Sequence, residues 1–267
     1  MKKYALLDTD FISKTYSIKG DKNKRLIDQI LKFPEYEFFC HAKILSELNV
    51  YSADISLWLK EKLTKQKIKC YTDENILENL SLIYGLLAYT KYTQLLKTAC
   101  DVFSKSFFKN YYQVLEDIDY GLISNEEYLE KLQLLDKQIE TNNNLGEIKT
   151  FVLLQALSII YGKQVYVFCS DDNDARNGVI SFDNVCCISL VSAFSRLKEE
   201  LCWKIDDASL YIDSFVRFCQ KHNQTNFRVM EASKVRRIKR VSCRLVLEGI
   251  FKDQFIELKN GMLRYKN

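Results

Sequence analysis

The chain has 267 residues, 47% hydrophobic and 28% charged, with 39 lysines and arginines against 35 aspartates and glutamates for a net charge of +4. That balance excludes wholesale disorder, and one proline with eight glycines excludes an all-β sandwich, which needs turn residues at short intervals. No run approaches the ~18 uninterrupted apolar residues of a membrane span. The apolar stretch behind Lys2-Lys3 ends at Leu7, too short for a signal peptide, so a soluble, cytoplasmic protein is expected.

Short apolar runs rich in β-branched and aromatic residues predict buried strands near Tyr4–Asp8, Tyr36–Cys40, Ile68–Tyr71, Val165–Cys169 and Val185–Leu190. Helical patterns fill the intervals at about 10–32, 42–65, 73–162 and 172–178. Strands alternating with helices imply an α/β fold, a parallel sheet flanked by helices. Within the long helical section Ser124-Asn125-Glu126-Glu127 offers a capping box. Asn142-Asn143-Asn144 reads as a break, and Phe151–Tyr161 as a buried helix. Beyond Leu190, helices over about 191–204 and 207–221 lead into a basic tail.

Residues 228–267 carry a net charge of +7, and the rest of the chain −3. Val235, Ile238, Val241, Leu245, Val246 and Ile250 recur at helical spacing, which predicts a docked helix. Arg236, Arg237, Lys239, Arg240 and Arg244 then fall mostly on its open side. Residues 255–265 predict a hairpin, with Asn260-Gly261 in a type I′ turn. A basic tail on a mildly acidic body implies an anionic partner, nucleic acid before membrane. The nine cysteines form no CxxC pair and only two histidines are present, which argues against a zinc site or a disulfide framework. Cys169, Cys186 and Cys187 read as reduced thiols among apolar residues.

Four acidic sites stand at informative positions. Asp8 and Asp10 fall at the carboxyl end of the first strand, and Glu47 in the first turns of the helix after the second. Glu147 follows Gly146 at a helix start, and Asp171, Asp172 and Asp174 follow the fourth strand. In an open parallel sheet, ligands bind beyond the carboxyl ends of the strands. Carboxylates gathered there raise one another's pKa, and a hard cation such as Mg²⁺ or Mn²⁺ compensates them. Such clusters serve phosphoryl chemistry, in which a metal activates a water. Each acid also has a structural alternative: Asp8, Asp10, Asp171 or Asp172 as helix caps, Glu147 closing a capping box with Asn144, and Glu47 on a solvated face.

Leu6-Leu7-Asp8-Thr9-Asp10-Phe11-Ile12, Ser46-Glu47-Leu48, Gly146-Glu147 and Ser170-Asp171-Asp172-Asn173-Asp174-Ala175-Arg176 resemble, in order and strand placement, the four acidic motifs of PIN-domain nucleases of the VapC-like ribonuclease superfamily. The resemblance covers about residues 1–195. It implies a metal-dependent endonuclease, acting on RNA before DNA, that hydrolyses phosphodiesters through a metal-activated water. Asp8, Glu47, Glu147 and Asp172 would be the catalytic and Mg²⁺- or Mn²⁺-binding acids, with Asp10, Asp171 and Asp174 as further metal candidates. Ser170 and Arg176 match the family's S/T-x-D-x-x-A-R pattern and join Arg236, Arg237, Lys239, Arg240 and Arg244 as candidate nucleic-acid contacts. Residues 73–140 would be a helical insertion serving as lid, homodimer surface or substrate arch, and 196–267 a helical, basic extension. Two rivals remain: a haloacid-dehalogenase-like phosphatase using Asp8-Thr9-Asp10, and a PIN-like module that binds nucleic acid or protein without cutting.

Overall fold

A computed structural model describes residues 2–119, 121–139, 144–232 and 237–266. Strand β1 (Lys3–Leu7) leads into helices α1 (Thr9–Ser17) and α2 (Leu26–Ile30), and β2 (Tyr36–His41) into α3 (Ala42–Tyr51) and α4 (Ala53–Thr64). After β3 (Ile68–Tyr71) the chain runs through α5 (Asp73–Tyr84), α6 (Ala88–Phe103), α7 (Phe107–Tyr111), α8 (Asn125–Lys137) and α9 (Leu145–Tyr161). Then follow β4 (Val165–Cys169), α10 (Asn173–Val179), β5 (Val185–Ile188), α11 (Ser192–Leu201) and α12 (Ile205–Lys221). The chain continues through β6 (Asn226–Met230), β7 (Ile238–Ser242), α13 (Cys243–Phe251), β8 (Phe255–Glu257) and β9 (Leu263–Tyr265).

The first five strands form a parallel sheet in the order β3-β2-β1-β4-β5, flanked by helices. The order reverses beside β1, and in such sheets the reversal marks the usual ligand crevice. Tyr4 to Leu7 are all buried, as a strand covered on both faces requires. Local chemistry starts the helices. Thr72 and Asn75 close a capping box on α5, and Ser124 and Glu127 close the one expected on α8. Helix α9 is buried along Leu145–Leu157, the signature of a helix packed all round rather than along one stripe. Asn142 and Asn143 lie outside the described residues. Among the described residues no helix is long and apolar enough to cross a membrane, and the nine cysteines are free thiols.

By internal contacts the chain divides into two compact units, one of residues 4–9 and 37–168, the other of residues 1–3, 10–36 and 169–267. The first holds most of the parallel sheet and the helical section between β3 and β4. The second contains a small sheet in the order β7-β6-β9-β8.

The tail departs from its helical reading. Residues 238–242 form β7, antiparallel to β6, and the helix begins only at Cys243. Val246 and Ile250 are buried as expected, but Ile238 and Leu245 are 54% and 61% exposed, and Leu247 takes a core place instead. Val235 and Arg236 lie outside the described residues. The spacing misleads because Ile238 and Val241 are three apart, a helical interval, whereas pairing with β6 draws residues 238–242 into a strand. The hairpin is present, but its turn is longer than a two-residue type I′ loop. Leu258 N–H bonds the Met262 carbonyl at 2.8 Å, and only Gly261 of the Asn-Gly pair has positive φ, at 72°. A Cβ on Gly261 would stand 2.9 Å from the Ser189 backbone nitrogen, so the position demands glycine for space as well as conformation.

Candidate functional site

In the first unit, three of the four acidic motifs meet. Strand β1 delivers Asp8, fully buried, and its Oδ1 accepts the Thr9 N–H at 2.7 Å. Helix α3 is capped by His41, whose Nδ1 accepts the Lys43 N–H at 3.1 Å. It buries Ile44 and Leu48, and Glu47, one turn from Ile44, lies on the same side. Thr9 Oγ1 donates to Glu47 Oε2 at 2.5 Å. The Gly146 N–H, in the first turn of α9, also donates to the Glu47 carboxylate. Burial pushes the Glu47 carboxyl above its ordinary value, against the pull of the Thr9 hydroxyl, the Lys43 charge and the Gly146 N–H.

Gly146 explains the Gly-Glu motif. A Cβ there would lie 2.4 Å from Glu47 Oε2, so only glycine lets the start of α9 approach the carboxylate. Glu147, the next residue, is half-buried. Asn144 makes no side-chain cap on α9, so the capping-box alternative for Glu147 does not form. Glu47 is likewise no solvated helix residue.

The fourth motif, in the second unit, is built as a turn. Asp172 is exposed and caps α10, its Oδ1 accepting the Ala175 N–H at 2.7 Å. Ser170 Oγ accepts the Asp172 N–H at 3.2 Å. Ser170 and Arg176 are buried. Arg176 donates from Nη1 to the Ser170 carbonyl at 2.7 Å and from Nε to the Asn260 carbonyl at 3.0 Å. These residues therefore brace the loop from within. Lys14 pairs with both Asp171 and Asp10 at 2.9 Å, which neutralises two of the further metal candidates, and Asp174 is exposed. The donors Asp8, Glu47 and Glu147 are hard oxygen ligands of the kind Mg²⁺ and Mn²⁺ take, so they fit by type. No group of three histidines, cysteines, aspartates or glutamates stands at metal-binding spacing among the described residues.

The basic candidates divide. Lys239 pairs with Glu231 at 3.2 Å, and Arg244 with Asp213 at 2.6 Å. Arg237 and Arg240 are exposed.

A buried charge network in the first unit has no counterpart in the sequence reading. Lys149, wholly buried on α9, places Nζ 3.0 Å from both Asp73 of α5 and Asp136 of α8. Tyr92 donates to Asp73 and Tyr112 to Asp136, the latter at 2.5 Å. His41 Nε2 lies 3.2 Å from Asp73; with Nδ1 occupied as an acceptor, Nε2 carries the proton and donates. Burial alone would lower the Lys149 pKa, but Asp136 and Asp73 outweigh it and hold the ammonium above its ordinary value. Burial likewise opposes the Asp73 charge, and Lys149 and His41 overcome it, holding the carboxyl well below the usual range. Lys149 follows Glu147 by two residues, so this network fixes the helix start that carries Gly146 and Glu147. Its members are scattered from residue 41 to 149, and only their spacing in the fold reveals them.

No family model, no curated protein and no solved structure matches this chain.

Proposed function

We propose that the chain is a metal-dependent nuclease, acting on RNA before DNA, with Asp8, Glu47 and Glu147 as its metal-holding acids and Asp172 as the fourth acid of the sequence pattern. The observation that carries this reading is the Thr9–Glu47–Gly146 junction. It joins segments 38 and 99 residues apart through hydrogen bonds centred on one carboxylate, and independent helix caps have no cause to do that. Thr9 and Gly146 orient Glu47, while the N–H of Thr9 fixes Asp8 at the end of β1. The Lys149 network holds the turn that presents Glu147. A bound Mg²⁺ or Mn²⁺ would supply Lewis acidity toward the phosphodiester and a water acidified to near-neutral pKa. The chain's own part is to keep the carboxylates oriented before substrate arrives.

The test is hydrolysis of single-stranded RNA and DNA with Mg²⁺ or Mn²⁺ by Asp8→Asn, Glu47→Gln, Glu147→Gln and Asp172→Asn. Each exchange keeps the shape and removes charge, and each should lower the rate about a hundredfold or more while the far-ultraviolet circular dichroism stays that of the parent. Parental rates in the Glu47 and Asp8 variants would end the reading.

A further inference from the structure

The second unit contains a cavity of about 240 Å³ lined by Asn173, Arg176, Gln224, Asn226, Phe227 and Met262, among others. Val229, Val246 and Leu263 give it apolar walls. Asp171 also lines it, but its carboxylate is taken by Lys14 at 2.9 Å. Gln224 and Asn226 are exposed amides that can donate and accept together. Apolar walls with a few polar groups are the usual make-up of a small-ligand pocket, and this volume suits one ring system rather than a drug-sized molecule.

The rim carries a second, independent signal. In the β6–β7 ladder Arg228 stands directly opposite Arg240, so their side chains leave the same face of the small sheet. Like charges placed so are destabilising. Both arginines are exposed, and among the described residues neither has a carboxylate at ion-pair distance. Neighbouring Lys239 and Arg244, by contrast, have found acids. Arg228 belongs to the cavity lining. Two guanidinium groups leaving one face of the ladder are suited to a phosphate, which accepts bidentate hydrogen bonds from such planes.

We propose that this cavity receives one unstacked nucleobase of a single strand, with Arg228 and Arg240 holding the adjoining phosphate. The proposal rests on the nuclease reading only for what the strand is brought to: Asp171 and Asn173, which line the cavity, flank Asp172. Single strands offer bases that can be splayed out and read on their edges, whereas a duplex keeps them stacked.

The experiment uses the full chain without divalent cation, so that nothing is cut. Titration calorimetry with the four nucleoside 5′-monophosphates, ribose 5-phosphate and inorganic phosphate is paired with fluorescence anisotropy on a single-stranded oligoribonucleotide and its duplex. At least one nucleoside monophosphate should bind where ribose 5-phosphate and inorganic phosphate do not, and the single strand should bind more tightly than either the mononucleotide or the duplex. Arg228→Gln and Arg240→Gln should each weaken nucleotide about tenfold and leave the corresponding nucleoside unchanged, while Asn226→Ala should weaken both. These side chains are exposed, so none of the variants should lower the melting temperature. Equal binding of ribose 5-phosphate would reduce the site to an anion fork and overturn the base pocket. A duplex that binds as well as the strand, or nucleotide affinity unmoved by all three variants, would overturn it too. Nucleotide binding lost in the variants, from a chain that never hydrolyses RNA, supports the pocket and removes the nuclease reading alone.

Discussion

Lys149 and the Arg228–Arg240 pair are both concentrations of positive charge, and the fold treats them in opposite ways. Around Lys149 the ammonium is wholly buried between Asp73 and Asp136, and the hydroxyls of Tyr92 and Tyr112 donate to those two acids. On the small sheet two cations face each other across a ladder in solvent, with acids close by that serve other residues. A buried charge must be satisfied from within or the chain does not fold, since an uncompensated one costs several kcal/mol. An exposed charge is under no such pressure and can wait for an external partner. Completeness thus marks a structural cluster, and an unmet need at the surface marks a place for a ligand.

That contrast can be broken most severely at Lys149. Lys149→Met keeps the stem and leaves Asp73 and Asp136 without their cation, so it should cost about 3–5 kcal/mol in chemical denaturation. Arg240→Gln, already in hand from the binding experiment, should cost nothing measurable. A loss below 1 kcal/mol at Lys149 would mean that water reaches the acids and the network is not closed.

Gly146→Ala is the next test, at the junction between the network and the carboxylates. The added methyl meets Glu47 Oε2 and must displace either the acid or the helix start, at about 1–3 kcal/mol. On the proposed nuclease reading, hydrolysis should fall by a larger factor than stability predicts, because the displaced group is Glu47 itself. A variant as stable and as active as the parent would show that α9 does not press on Glu47.

The smallest effect is on pH. Asp73 is held below its ordinary pKa in the folded state, so it adds stability above the unfolded value of about 3.9. That contribution fades as pH falls from there toward the folded value. Melting temperature should therefore drop on the acid side below about pH 4, and Asp73→Asn, although less stable at neutrality, should show a shallower drop. Parallel acid limbs would place the titrating group elsewhere.

How much of this was legible in advance depends on distance along the chain. The five strands of the parallel sheet announce themselves as local apolar runs, and the Ser124–Glu127 cap is written in four residues. The Gly-Glu pair at 146–147 was visible as a motif, though not the reason for its glycine, which lies in Glu47. Over residues 238–242 the apolar spacing permits a helix, and the deciding contact is a ladder to residues 226–230. As an edge strand β7 also carries the lysine and arginine that edges tolerate, and a helix carries them equally well. The Lys149 network left no local trace at all, since each member alone looks like an ordinary charge or tyrosine on a helix.

The buried guanidinium of Arg176 bears on the order in which the molecule is completed. One of its acceptors, the Ser170 carbonyl, is six residues away; the other, at Asn260, is 84 residues downstream. During synthesis, at about 5–20 residues per second, the first acceptor exists long before the second. Until the β8–β9 hairpin leaves the ribosome, the loop that carries Asp171 and Asp172 lacks its far anchor. The second unit therefore completes the segment after β4 only once the turn between β8 and β9 has been made. A chain made in that order holds the Asp171–Asp172 loop by its near acceptor alone until Asn260 is in place.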